Sequence, residues 1–210
     1  RGWVDGVVTG ALTSWQEPRV RALLVMSVVG GLFGGFFGAL YIAFVLRDLG
    51  LGPVLLGVGI AAGGFGALGG SFLAQPLARR FGVGPTICVT GVVSALGTMI
   101  VLLAPARPVG GMACLVVSQI VGDVFGIVPL ILGASLRQTL LPQELLGRVG
   151  ATFRAAGGAA AVVGALAGGA LGQVLGMREA LLLAIGGLLI GPAYGALSPL
   201  WRLKTLPLEA

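Results

Sequence analysis

A single acid, Asp123, interrupts an otherwise uncharged run of 29 residues from Pro108 to Leu136. Holding a charged side chain at the centre of a membrane-crossing helix costs roughly 2.5 to 3.5 kcal/mol on insertion scales. Something must offset that cost: a water-filled cavity, a cationic partner, or a proton on the carboxylate, because a low dielectric disfavours the charged form. Gln119 lies one turn away on the same face and Gly126 follows on that side, so this surface reads as polar and open. An acid so placed would bind a cationic substrate or carry a coupling proton. The competing role is a protonated or hydrogen-bonded acid that locks one helix to its neighbour.

Few other residues could do chemistry. Phe33, Phe37, Tyr41 and Phe44 recur every three to four residues beside a groove of Gly30, Gly34 and Gly38. Phe37 and Tyr41 could hold a hydrophobic or cationic compound through surface contact and ring electrostatics, or the stripe could simply pack or meet lipid. Thr90, Ser94 and Thr98 share a face, and hydroxyls within helices commonly bond back to their own backbone, so packing is expected there. The chain has no histidine, which excludes histidine-based triads and zinc sites. Cys88 and Cys114 lack disulfide or metal spacing, and no Gly-x-x-x-x-Gly-Lys-Ser/Thr loop for nucleotide occurs. One intramembrane acid is not a catalytic constellation, so a membrane enzyme is disfavoured and neither metal nor cofactor is implied.

The elements that carry these residues follow from charge. Hydrophobic residues make up 57% of the 210-residue chain and charged residues only 10%, against about a quarter charged in soluble proteins. Between Arg21 and Arg47 lie 25 residues without a charge, and between Asp48 and Arg79 there are 30. Either run crosses a hydrocarbon layer of roughly 30 Å at 1.5 Å per residue. The same reading predicts an all-α membrane protein with six spans, near 22–46, 53–78, 84–106, 109–136, 149–177 and 180–201.

A net charge of +6 would raise the question of nucleic acid in a soluble domain, but here the basic residues sit singly or in pairs at helix ends. They report orientation instead. Ten of the thirteen (Arg1, Arg19, Arg21, Arg79, Arg80, Arg137, Arg148, Arg154, Arg202 and Lys204) fall on one face, and Arg47, Arg107 and Arg178 on the other. That asymmetry predicts a multi-pass protein of the plasma (inner) membrane with both termini in the cytoplasm. Residues 1–20 read as an amphipathic segment lying on the surface, ended by Pro18; 21–204 as the bundle; and 205–210 as a short cytoplasmic tail.

Glycine totals 39 and recurs at four-residue spacing: Gly30, Gly34, Gly38; Gly59, Gly63; Gly66, Gly70; and Gly164, Gly168, Gly172, Gly176. Such stripes let helix backbones touch where lipid gives little hydrophobic drive, which predicts a compact bundle. The longest inward junction, Arg137 to Arg148, is polar, and Pro142 followed by Gln143 and Glu144 favours a new short helix there.

That junction carries a resemblance. Its Pro142-x-Glu144-x-x-Gly147-Arg148-Val149 run, followed by a span with Gly164 and Gly168-Gly169, closely resembles the loop between helices ten and eleven of the major facilitator superfamily. The nearest likeness, over most of the chain, is to the prokaryotic efflux branch that includes macrolide and enterobactin exporters. Ala74-Gln75-Pro76-Leu77-Ala78-Arg79-Arg80-Phe81-Gly82 looks like a worn copy of the family's Gly-x-x-x-Asp-Arg-x-Gly-Arg loop between helices eight and nine. Arg80 and Gly82 keep the pattern. Gln75, Arg79 and Val83 stand where the family has a glycine, an acid and an arginine, which puts a charge relay in doubt. Gly187-x-x-x-Gly191-Pro192-x-x-Gly195 is similar to the family's antiporter signature but sits in the wrong span, so a bend at Pro192 with close packing is expected.

The resemblance implies the C-terminal half of a twelve-helix secondary transporter, with residues 1–20 the end of its central cytoplasmic loop, the N-terminal six-helix half absent and the substrate site between the halves. It implies proton-coupled efflux of a small amphipathic compound such as a drug or siderophore, with Phe37 and Tyr41 on a helix that borders the cavity. Arg80, Gly82, Arg137, Glu144, Gly147, Arg148 and Arg154 become loop or gate candidates; Arg154 could pair with Glu144 or the missing half, or simply extend to the interface. A non-transporting scaffold or regulatory remnant, or a half-size bundle that dimerises, remains the alternative.

Overall fold

The computed structural model describes residues 3–105 and 108–205. The amphipathic segment is helix α1 (Trp3–Gln16). The spans are α2 (Pro18–Arg47), α3 (Pro53–Phe81), α4 (Val83–Met99, prolonged by a 3₁₀ turn Ile100–Leu103), α5 (Pro108–Leu140), α6 (Gln143–Leu175), and a last span split into α7 (Met177–Leu188) and α8 (Ile190–Leu197). A 3₁₀ turn, Pro199–Arg202, follows. Six segments are long and apolar enough to cross a membrane, and the described residues form no strand. This is a multi-pass membrane protein. Arg1, Arg107 and residues 206–210 of the expected tail lie outside the described residues.

Proline sets several boundaries. Pro18 and Pro53 open α2 and α3, where a missing N–H has no helical acceptor to lose. Pro192 has no N–H for the carbonyl of Leu188, and the last span is interrupted at Leu189, just beyond that residue. The expectation of a short separate helix after Pro142 is corrected. A helix begins at Gln143, but it continues unbroken into the span, because nothing between Glu144 and Gly176 stops it. The polar junction shrinks to Leu141 and Pro142, and Arg137 belongs to the last turns of α5 rather than to a loop.

The spans pack in a repeated pattern. α2 runs along α6, and α3 along α5; α4 packs on α5, and α7 and α8 on α2; α4 meets α7 and α8. Exchanging the first three spans for the last three leaves these neighbours unchanged. The second-to-third junction turns at Gly82 (φ +94°, ψ 154°) and the fifth-to-sixth at Gly176 (φ +96°, ψ 153°), a backbone region open to glycine alone without strain.

Backbone contact comes from small residues, on a different α2 stripe than expected. Gly31 and Gly35 lie against the backbones of Gly157 and Ala161 on α6, while Gly164 and Gly168 lie against Leu32 and Phe36. At Gly30, Gly34 and Gly38 a side chain would meet only open space. On α3, Gly59, Gly63, Gly66 and Gly70 all face α5. Two apolar clusters result. One, with Val20, Ile87, Leu132, Leu136, Phe153 and Leu200, lies at the arginine-rich end; the other, with Phe36, Phe44, Leu51, Leu115 and Leu181, at the far end. There the Arg178 guanidinium donates to the carbonyl of Leu102. Helix α1 is more than a surface float. Its Gly10 lies against Thr152 and the Arg148 carbonyl of α6, and Ser14 is fully buried.

Candidate functional site

Asp123 sits where α5 crosses α3, held there by the glycine face of α3. Its Oδ2 and the Cβ of Gln119 occupy the space a side chain at Gly63 would need, so the missing Cβ makes room for both polar residues. Asp123 is half-buried, and no hydrogen bond or ion pair reaches it among the described residues. The phenol of Tyr41, on α2, is within electrostatic range of its carboxylate. Tyr41 is buried, its hydroxyl has no hydrogen-bond partner, and its ring stacks on Phe37 with centroids 5.2 Å apart and planes at 28°.

The structure therefore brings four sequence candidates (Asp123, Gln119, Tyr41 and Phe37) to the junction of α2, α3 and α5. It divides the aromatic ridge, because Phe33 covers Gly187 of α7 and Phe44 enters the far-end core. A carboxylate with no committed hydrogen bond can take up or release a proton, or receive a cationic group, without breaking a structural bond.

A second feature lies toward the arginine-rich end. Helices α2 and α5 scarcely touch, and the gap between them is a cavity of about 380 Å³, floored by α4 and α8. Leu23, Met26, Ser27 and Gly30 line it from α2; Ile87, Gly91, Ser94 and Thr98 from α4; Gly126, Pro129, Leu130, Gly133 and Arg137 from α5; Gly191 and Pro192 from α8. Its size suits a small organic ligand, for which pockets run from about 300 to 1,000 Å³. Leu130, 68% exposed, stands at its rim. Asp123 is not among its walls. Fourteen residues separate Asp123 from Arg137 along α5, about 21 Å at helical rise.

Arg137 is half-buried, and its guanidinium lies 4.2 Å from the centroid of the Phe153 ring. Arg154, which is exposed, is its electrostatic neighbour. Glu144, Gly147 and Arg148 are exposed in the first turns of α6, and no ion pair joins Glu144 to Arg154 among the described residues. Arg80 is exposed beside the ring of Phe81. Gly82 is buried, and its neighbours anchor the C-terminal segment: the Gly84 N–H donates to the Leu203 carbonyl at 2.9 Å. That loop therefore ties two elements together.

The hydroxyl face of α4 divides by partner. Thr90 and Thr98 bond back to Thr86 and Ala95, while Ser94 donates across to the Gly122 carbonyl of α5 at 2.7 Å. Ser27 and Ser94 as cavity residues were not foreseen, because a serine in a helix gives no sign of whether a void lies opposite. Among the described residues no three acid, thiol or imidazole side chains converge to hold a metal. No protein-family model, curated protein or solved structure matches this chain.

Proposed function

We propose that this chain is the C-terminal six-helix half of a major-facilitator-type secondary transporter of the plasma (inner) membrane, with both termini cytoplasmic, that exports a small amphipathic compound in exchange for protons. The observation that carries this reading is Asp123: a mid-membrane carboxylate, half-buried, with no bond to any described neighbour. Intramembrane acids are costly and mark ion or substrate paths by default. Asp123 takes the role of proton carrier, Tyr41 stands beside it, and the gap between α2 and α5 accepts the compound.

Two further features support it. The repeated arrangement of three spans and three is the kind of internal symmetry on which many transporters are built. Gly34, Gly38, Gly64 and Gly158 have open space where a side chain would stand, which leaves bare backbone on α2, α3 and α6 for another six-helix bundle to approach closely. A second copy of this chain, forming a half-size dimer, could approach the same bare backbone.

The test is Asp123→Asn in the full-length protein, with efflux measured across several pH values. The reading expects a rate that falls and no longer follows pH. Unchanged rates and an unchanged pH profile would defeat it.

A further inference from the structure

We infer that the cavity between α2 and α5 binds amphipathic anions, with the Arg137 guanidinium as the group that receives the carboxylate or phosphate head. The inference rests on the transport reading only in taking this cavity as a ligand site; it adds the sign of the ligand's charge.

Arg137 has the chemistry for this. A guanidinium carries five N–H donors and is always charged. Here it is half-buried inside a helix that spans the membrane, and among the described residues it has neither a hydrogen bond nor an ion pair. Among the described residues it is drawn to the ring face of Phe153, which leaves the in-plane N–H groups unused. Arg154 adds a second positive charge nearby. Among the described residues no acid lines the cavity, and Asp123 is turned toward α3 instead. A partly desolvated cation without a counter-charge is costly, and an anion held in the fork of the guanidinium offsets that cost with two parallel hydrogen bonds.

The rest of the cavity supplies what such a molecule needs behind its head. Ser27 lines the cavity from α2, and its hydroxyl, which lies against Gly157 of α6, forms no hydrogen bond among the described residues. Leu23, Met26, Ile87 and Pro129 give the cavity apolar wall for a short hydrocarbon tail, alongside the hydroxyls of Ser94 and Thr98 on α4. Gly30 lines it with open space where its Cβ would be, which keeps the tail path clear. The same head-group chemistry is offered by a free amphipathic acid and by an anionic lipid.

The test uses the full-length protein in phosphatidylcholine nanodiscs and three ten-carbon probes of like length: decanoate, decyltrimethylammonium and decanol. Wild-type protein is expected to bind decanoate about tenfold or more tightly than the cation, the worth of one charge-assisted hydrogen bond. Arg137→Gln is expected to abolish that preference while still binding decanol, Arg137→Lys to retain most of it, and Gly30→Leu to weaken all three probes by filling the cavity. Moving to phosphatidylglycerol nanodiscs separates the sources. Undiminished decanoate binding identifies a free anion as the occupant; displacement of decanoate, with a phosphatidylglycerol adduct in native mass spectra that Arg137→Gln removes, identifies the lipid head. Either result supports Arg137 as the anion receptor.

Equal affinity for decanoate and decyltrimethylammonium in wild-type protein overturns the inference, and this needs no variant to fold. If Gly30→Leu weakens binding while Arg137→Gln leaves the preference intact, the anion assignment fails and the cavity remains a ligand site. If Gly30→Leu changes nothing, the cavity is not a ligand site, and its part in the transport reading fails with it.

Discussion

Gly63 of α3 lies against the carboxylate of Asp123 on α5, so closely that a methyl group at position 63 would overlap Oδ2. The obstacle there is the free end of a side chain that holds no bonds. At Gly164 of α6 the obstacle is the main-chain carbonyl of Leu32, which cannot swing aside. The two glycines thus face obstacles of different kinds, one movable and one fixed.

Gly63→Ala is expected to displace Asp123 and reduce transport severalfold, with a thermal midpoint in detergent close to that of the wild type. Gly164→Ala must part α2 from α6 and is expected to cost about 1 to 3 kcal/mol, the usual penalty for overpacking, with a clear drop in midpoint. Gly34→Ala meets only open space and is expected to be neutral or slightly stabilising, since alanine favours helix over glycine by up to about 1 kcal/mol. Thermal unfolding of the three variants side by side checks the ordering.

Tyr41 offers a second separation. Its buried hydroxyl has no partner, and a buried unsatisfied group costs about 1 to 3 kcal/mol. Tyr41→Phe is therefore expected to raise the thermal midpoint while lowering activity. A lower midpoint would mean that the hydroxyl is held by a structural bond, contrary to this account.

Ser94 and Thr90 differ in what they join. Ser94→Ala removes a bond between α4 and α5 and is expected to cost about 0.6 kcal/mol and at most about 1.7, the mean and maximum measured for interhelical bonds in a membrane protein. Thr90→Val removes a bond within α4 alone and is expected to cost less. Equal costs from unfolding titrations would contradict the assignment.

The spans were legible because lipid forbids charge, so Arg21, Arg47, Asp48 and Arg79 fence them without any knowledge of packing. Asp123 was legible for the same reason. The rotation of each helix was not. Gly30, Gly34, Gly38 and Gly31, Gly35 share the same spacing and differ by about 100° around α2, and only the position of α6 decides which stripe is covered. The polar Gln138 and Thr139 beside Arg137 suggest a loop, yet α5 continues to Leu140 and brings Arg137 to the cavity wall. The break near Pro192 was visible in its missing N–H; the matching turns at Gly82 and Gly176 were not, since a positive φ leaves no mark among so many glycines.

The most direct measurement of the central claim is flux in proteoliposomes that hold the full-length protein and an imposed pH gradient, with an amphipathic dye as cargo. This account predicts dye movement coupled to proton flow in the opposite direction, lost in Asp123→Asn although that protein melts at the wild-type temperature. Dye and proton leakage no greater than in protein-free liposomes, or flux that Asp123→Asn leaves intact, would contradict it.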